Sequence, residues 1–146
     1  MKAIMYPAVT LDGFIADLNG ALVGRKTYEQ YADDYPAKNG SITFVYTTST
    51  DQQDQEKVKF VRGTPEEVLR QAESFGFTEI IISGGGEVNG SFAEAGLVDE
   101  IIVSCYGVTL GEGIPLFGSH KPKLRLELLS STQDVPGIVK NHYKVL

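Results

Sequence analysis

The stretch SGGGEVNG, residues 83–90, directly follows the apolar run at residues 80–82. Three consecutive glycines are entropically costly to order, so their position after a strand indicates that bare backbone is needed there. A helix that begins after the glycines has unpaired amides in its first turn, which could bind a phosphate group. The stretch matches neither a GxGxxG fingerprint nor a P-loop, and a tight turn is the alternative interpretation.

Two other stretches carry residue types that suit an anionic ligand. Arg25 and Lys26 follow Gly24 at a predicted strand-to-helix turn, where cations oppose the helix dipole and therefore indicate an anion between them. Residues 47–50, TTST, offer four hydroxyls at the end of another strand. A solvated surface pair and an ordinary turn are the alternatives. Because all three stretches lie at predicted carboxyl ends of strands, together they indicate a site for a phosphorylated nucleotide.

The elements that must position these residues alternate between strands and helices over the first two thirds of the chain. We predict strands at residues 3–9, 14–16, 21–23, 41–50, 58–63, 78–83, 98–110, 123–132 and 138–146. We predict helices from Gly24 to Pro36, from a capping box at Thr64 and Glu67 to Gly76, and weakly over residues 88–97. The pattern predicts one α/β domain with a mostly parallel sheet, antiparallel C-terminal strands and helices on both faces.

Composition limits the classes of partner. The chain has 146 residues and a formal net charge of −6, with 42% hydrophobic and 22% charged residues. We predict no nucleic-acid partner, because a phosphate backbone requires clustered Lys and Arg. No stretch reaches the ~18 apolar residues of a membrane span and no signal peptide is visible, so we predict a cytoplasmic protein without a membrane partner. The single cysteine, Cys105, supports neither a disulfide framework nor a metal quartet, and its apolar neighbours favour a buried structural thiol.

Three segments carry a family resemblance over nearly the whole chain. They are MKAIMYPAVTLDGFIA, LVGRKTYEQ, and the run from IIISGGGEVNG through GLVDE to LGEGIPLF. In these segments the chain resembles the dihydrofolate reductase-like superfamily, in the branch of the C-terminal reductase domain of the bifunctional riboflavin-biosynthesis deaminase-reductase. The resemblance implies a three-layer α/β fold, NADPH as hydride donor, a small heterocyclic substrate of pterin or pyrimidine type, and a homodimer.

The resemblance also implies roles for individual residues. Ala8, Ile15 and Ala16 would face the nicotinamide, and Arg25 with Lys26 would meet the 2′-phosphate. The remaining implied cofactor contacts are Gly24 and Thr27 at the phosphates, Thr47, Thr48 and Ser49 at the adenosine ribose, and Gly84, Gly85, Gly86, Glu87 and Val88 at the diphosphate. The glycines would then be required because any Cβ would keep the diphosphate from the helix amides.

One departure from the family concerns the substrate wall. Relatives of this type carry a helix-bearing segment between the DGFIA and LVGRKTYE strands, whereas here only residues 17–20 connect them. Either the natural protein has an open, altered substrate site, or a segment is lacking from this chain. No catalytic acid can be carried over, and Asp12 is either a turn residue or the acid nearest the nicotinamide. His120 and His142 receive no role.

Two other functions are alternatives to the reductase hypothesis. One is a non-catalytic module of the same fold that binds nucleotide or serves as a dimeric structural protein. The other is a protein-interaction domain that uses the apolar face left by the missing helix.

Overall fold

The computed structural model describes residues 1–16, 22–30 and 42–146, and within them ten strands form one sheet. The strands are β1 Lys2–Met5, β2 Ala8–Thr10, β3 Ile15–Ala16, β4 Leu22–Gly24, β5 Thr43–Tyr46, β6 Val58–Val61, β7 Glu79–Ile82, β8 Glu100–Tyr106, β9 Leu126–Val135 and β10 Ile138–Val145. The helices are α1 Arg25–Gln30, α2 Pro65–Ser74 and α3 Gly86–Glu94.

The sheet is mixed, as the sequence predicts. β7, β4, β5 and β6 follow β1 as a parallel series. β8 lies on the other side of β1. β1 and β2 follow one another along one edge of β8, and both run parallel to it. β10 pairs antiparallel with β8, and β9 pairs antiparallel with β10. The predicted mostly parallel sheet with antiparallel C-terminal strands is confirmed.

The predicted first strand over residues 3–9 is divided in the structure. β1 ends at Met5 and β2 begins at Ala8, so Tyr6 and Pro7 form a break between them. Pro7 has no N–H and cannot donate to a ladder. Its carbonyl instead accepts a hydrogen bond from the Ser104 amide at 3.0 Å, which keeps β2 against β8.

Helices pack on both faces of the sheet, as predicted. Successive residues of a strand point to opposite faces. Phe44 of β5 belongs to the large core cluster with Val68 of α2 and Phe92 of α3. The next residue, Val45, packs instead with Tyr28 of α1. α2 and α3 therefore cover one face, and α1 covers the other.

The turn and cap signals agree with the structure where it describes them. The Thr64 hydroxyl accepts a hydrogen bond from the Glu67 amide at 3.3 Å, and the Glu67 carboxylate accepts one from the Thr64 amide at 2.7 Å. Gly76 follows the end of α2 with a φ of +89°. The predicted capping box and glycine terminator are therefore confirmed. The predicted helix end at Pro36 and the short connection at residues 17–20 lie outside the described residues.

The C-terminal third differs in its boundaries. β8 ends at Tyr106 instead of continuing to residue 110, and the Gly107 amide beyond it donates to the Gly137 carbonyl at 2.8 Å, at the end of β8 next to β10. The predicted hairpin around residues 136–137 is present, but all ten residues of β9 are exposed. Cys105 is free and half-buried, so the expectation of a buried thiol is wrong. Among the described helices, none has the length and apolar character to cross a membrane.

Candidate functional site

A cleft of about 560 Å³ lies at the carboxyl ends of β4, β5 and β7. β4 leads into α1 on one face of the sheet, while its neighbour β7 leads into α3 on the other. Ligands of open α/β sheets bind where neighbouring strands send their connections to opposite faces. The residues around the cleft are Gly24, Arg25, Lys26, Thr27, Tyr46, Thr47, Thr48, Gly85, Gly86, Glu87, Val88, Ser91, Ile114 and His120. The three stretches singled out in the sequence therefore meet at one site.

The glycine turn joins the ends of β4 and β7. The Gly84 carbonyl accepts a hydrogen bond from the Gly24 amide at 3.0 Å, and Gly84 has a φ of +104°, which favours glycine. The Gly85 amide donates to Thr27 Oγ1 at 3.3 Å. Gly85 is also the N-cap of α3 and provides no side-chain cap for the first turn of that helix. The dipole of α3 consequently favours an anion at this end of the cleft.

In the structure, glycine is required at residues 86 and 90 by contacts within the protein, whereas the sequence predicted that a diphosphate requires the glycine stretch. A Cβ on Gly86 would lie 2.6 Å from the Pro115 carbonyl oxygen and 2.7 Å from the Gly118 nitrogen. A Cβ on Gly90 would lie 2.5 Å from His120 Cβ and would also meet the Phe117 carbonyl. These two glycines let α3 pack closely against the turn at residues 115–120.

Arg25 and Lys26 are exposed residues of α1 at the cleft. The Arg25 guanidinium lies 3.6 Å from the Glu29 carboxylate, one helical turn away. An exposed pair of this kind contributes little to stability and can exchange partners at low cost. Lys26 lies near enough to the Glu87 carboxylate to lower its pKa, although hydrogen bonds from Ser119 are the larger cause. Two cations are therefore available to an anionic ligand.

The hydroxyl stretch after β5 is fixed by its own contacts. Thr47 is buried, and its Oγ1 accepts a hydrogen bond from the Ser49 amide at 3.1 Å. The Arg62 Nε donates to the Ser49 carbonyl, and the Ser49 hydroxyl donates to Asp51. Thr47 and Thr48 border the cleft, whereas Ser49 is not among the described residues around it.

A carboxylate and a histidine form one wall of the cleft. The Glu87 carboxylate accepts hydrogen bonds from the Ser119 amide at 2.7 Å and the Ser119 hydroxyl at 2.9 Å, and these bonds hold the pKa of Glu87 below its ordinary value. His120 Nε2 lies 3.3 Å from Glu87, and His120 Nδ1 lies 2.7 Å from Glu94. Glu87 and His120 thus attach the turn at residues 115–120 to α3.

The three predicted nicotinamide contacts lie on β2 and β3. Ala8 is buried in β2, where it pairs with Ser104 of β8 and with Ala16 of β3. Ile15 pairs with Val9 in the same ladder. A contact of Ala8, Ile15 and Ala16 with a nicotinamide ring stays a prediction.

Asp12 has a structural role. Its carboxylate accepts hydrogen bonds from the Thr10 hydroxyl at 2.6 Å, the Gly111 amide at 2.8 Å and the Leu110 amide at 3.0 Å. These bonds, with Thr10 the largest cause, hold the pKa of Asp12 below its ordinary value. A carboxylate that stays ionised is a poor proton donor near neutral pH. The turn interpretation is therefore the better one.

The model of the RibD C-terminal domain family matches residues 29–140. The chain belongs to that family. A Bacillus subtilis relative, the uncharacterized protein YwjB, is 28% identical over 171 residues, covering 97% of each chain. A Shewanella protein assigned to riboflavin biosynthesis has a TM-score of 0.85 at 23% identity, covering 100% of this chain and 99% of its own. Dihydrofolate reductase from Enterococcus faecalis, complexed with NADP(H) and RAB-propyl, has a TM-score of 0.73 at 17% identity, covering 99% of this chain and 96% of its own.

Membership of this family confirms the resemblance stated from the sequence and the reductase-type fold. Sequence reasoning nevertheless missed four residues around the cleft, namely Tyr46, Ser91, Ile114 and His120. The spacing of Gly86 and Gly90 was a visible signal that another segment packs on α3. No sequence pattern within residues 114–120 identified them as that segment, because the contact joins distant parts of the chain.

Proposed function

We propose that this RibD C-terminal domain protein is an NADPH-dependent reductase that transfers hydride to a small heterocycle of pterin or pyrimidine type. The observation that carries the proposal is the meeting of three strand ends at one cleft, with two cations at its edge. The names of the relatives support it, since one solved neighbour is a dihydrofolate reductase complexed with NADP(H).

The described residues fit a nicotinamide dinucleotide. α3 begins at a glycine with no side-chain cap, which suits a diphosphate, and Arg25 with Lys26 supplies the charge that a 2′-phosphate requires. A volume of about 560 Å³ lies within the usual range for small-molecule sites. In the proposed arrangement Thr47 and Thr48 border the adenosine ribose, and Gly84–Val88 border the diphosphate.

The chain's own contribution to the chemistry is binding and orientation. The bound cofactor would supply the hydride, and the protein would position it against the substrate. Asp12 is occupied by three hydrogen bonds, so we do not assign it the proton-transfer role. This observation also favours a second candidate, a nucleotide-binding module of the same fold without turnover. Consumption of NADPH with a heterocyclic substrate, followed by absorbance, separates the two.

We further propose that this chain lacks a wall segment that its relatives possess. The comparison with YwjB extends over 171 positions, more than the 146 residues of this chain. The relative therefore carries residues without a counterpart here. We assign these additional residues of the relative to the segment between the DGFIA and LVGRKTYE strands, where this sequence departs from the family. In the proposal, their lack leaves the substrate side of the site open.

We also propose a homodimer through the C-terminal hairpin. All ten residues of β9 are exposed, including Leu126, Leu128 and Leu129, and the structure describes no partner for β9 other than β10. An exposed apolar edge strand is a template for association. We expect light scattering to give twice the mass of 15.9 kDa for this chain. Changing Leu128 and Leu129 to Glu should give the monomer mass, whereas Leu146→Glu, an exposed control, should not.

Arg25→Ala tests the assignment of the cofactor. It should weaken NADPH more than NADH, because the charge-assisted contact to the 2′-phosphate exists only in NADPH. We expect a loss of about tenfold for NADPH, the effect of roughly 1.4 kcal/mol. Arg125→Ala, which removes an exposed cation outside the described cleft, is the matched control. Equal losses for the two nucleotides would show that Arg25 does not recognise the 2′-phosphate.

A further inference from the structure

The imidazole of His120 lies between two carboxylates of α3. Its Nδ1 is 2.7 Å from Glu94, and its Nε2 is 3.3 Å from Glu87. An ionised carboxylate only accepts hydrogen bonds, and a neutral imidazole has one donor nitrogen. The Nδ1 contact with Glu94 is a hydrogen bond, whereas the Nε2 contact with Glu87 is an ion-pair contact. A proton on this ring would therefore place a positive charge within 3.3 Å of both carboxylates.

Both carboxylates are held in their ionised form. Hydrogen bonds from Ser119 lower the pKa of Glu87, and the hydrogen bond from His120 lowers that of Glu94. Glu94 also accepts a hydrogen bond from the Lys121 amide at 2.9 Å. His120 acts on the charges of both carboxylates, whereas Lys26 also acts on Glu87.

The ring has little freedom to leave this position. Its side chain is 26% exposed, and a Cβ on Gly90 would collide with it. On its inner side it contacts α3, and it also borders the cleft. The charged groups facing it are Glu87 and Glu94 from α3 and Lys121 beside it in the chain, with Arg25 and Lys26 of α1 bordering the same cleft.

We propose that protonated His120 is a positioning residue of the cleft, and that the anionic nucleotide binds together with one proton on this imidazole. The inference rests on the proposed function. With the proton, the ring places one positive charge between Glu87, which borders the cleft, and Glu94, and it fastens the turn at residues 115–120 to α3. Without it, the anion meets an additional uncompensated charge. A neutral ring carries no positive charge, so affinity should be lower at pH 8 than at pH 6.

The test compares the pH dependence of binding in two histidine variants. NADP⁺ is titrated by calorimetry at pH 6 and pH 8 into the unmodified chain, His120→Gln and His142→Gln. His142 is the matched control, because its Nε2 also lies 2.8 Å from a carboxylate, that of Glu100, but His142 does not border the cleft. The titration of the ligand's own phosphate is the same in all three proteins and cancels in the comparison.

We expect the ratio of affinities at the two pH values to be about two- to fivefold larger in the unmodified chain and His142→Gln than in His120→Gln, the size of one exposed charge interaction. An equal ratio in all three proteins would overturn the inference and leave the proposed function intact. Inorganic pyrophosphate is titrated in parallel. If pyrophosphate binds with the expected dependence on His120 but NADP⁺ does not bind, the proposed function fails and the charge coupling stands. If neither binds, both fail.

Glu87→Gln keeps the test decisive if His120→Gln does not fold. Gln is isosteric with Glu and can still accept the Ser119 hydrogen bond, while it removes one negative charge beside the cleft. Its affinity for NADP⁺ at pH 8 should therefore exceed that of the unmodified chain. An unchanged or lower affinity at pH 8 would contradict the charge coupling.

Discussion

The cleft and the region around Asp12 use their polar groups in opposite ways. At the cleft, Gly85 precedes α3 as an N-cap without a side-chain hydrogen bond, and the ion pair that the structure describes for Arg25 is an exposed one with Glu29. Around Asp12, the carboxylate is bonded to Thr10, Leu110 and Gly111. Donors and charges remain available where a nucleotide is proposed to bind, whereas Asp12, the acid nearest the expected nicotinamide, already accepts three hydrogen bonds. These contacts therefore favour the proposed cofactor site over a proton-transfer role for Asp12.

The largest expected effect comes from breaking the wall of the cleft. Gly90→Val should lower the free energy of unfolding by about 3 kcal/mol, because added carbons collide with a backbone carbonyl and overpacking is costly. The collision is with Phe117 and with His120. We expect the midpoint of thermal unfolding to fall by roughly 6–10 °C, with weaker nucleotide binding.

Ala95→Val is the control for this variant. Ala95 is the exposed C-cap of the same helix, so the added carbons meet solvent. If both variants unfold at the same temperature, close packing of α3 against residues 115–120 does not hold the cleft wall.

A smaller effect is expected at the end of β5. The Tyr46 hydroxyl donates to the Gly63 carbonyl at 2.6 Å, and its ring packs on Phe92 with centroids 6.1 Å apart. Tyr46→Phe keeps the ring and removes one hydrogen bond, which should cost about 1 kcal/mol in denaturant unfolding. Tyr143→Phe in β10 serves as the control. A stability unchanged from that of the original chain would mean that the hydroxyl does not fix this end of the cleft.

The smallest effect is expected at Asp12, which is exposed. Asp12→Asn should lower the midpoint of thermal unfolding at neutral pH without changing nucleotide affinity. Because the pKa of Asp12 is lower in the folded protein than its ordinary value of 3.8, the ionised carboxylate stabilises the fold fully above pH 3.8. This contribution disappears as the pH falls through the lower pKa of the folded state. The two proteins should therefore converge in stability in acid.

Glu112→Gln provides the control for the Asp12 variant, since Glu112 is an exposed acid of the neighbouring loop. Loss of NADPH turnover in Asp12→Asn with an unchanged unfolding midpoint would instead identify Asp12 as the catalytic acid.

Sequence reasoning succeeded where the signal was local. The capping box at Thr64 and Glu67 and the terminator Gly76 depend on residues a few positions apart, and each is present. The meeting of Gly24, Thr47 and Gly85 at one cleft was also predictable, because the carboxyl ends of parallel strands share one edge of a sheet.

The missed features depend on distant contacts. His120 reaches the cleft only because the turn at residues 115–120 packs on the bare face of α3, and no spacing within that turn indicates this partner. Likewise, the division of the first strand at Tyr6 and Pro7 depends on how both halves pair with the distant strand β8. The Asp12 bonds to Leu110 and Gly111 are equally invisible from a local turn.

Thermal unfolding of the unmodified chain with added nucleotide tests the central claim most directly. A ligand that binds the folded protein alone raises the midpoint by mass action. We predict that millimolar NADPH raises it by several degrees, and by more than NADH at the same concentration. No rise with either nucleotide would contradict the account.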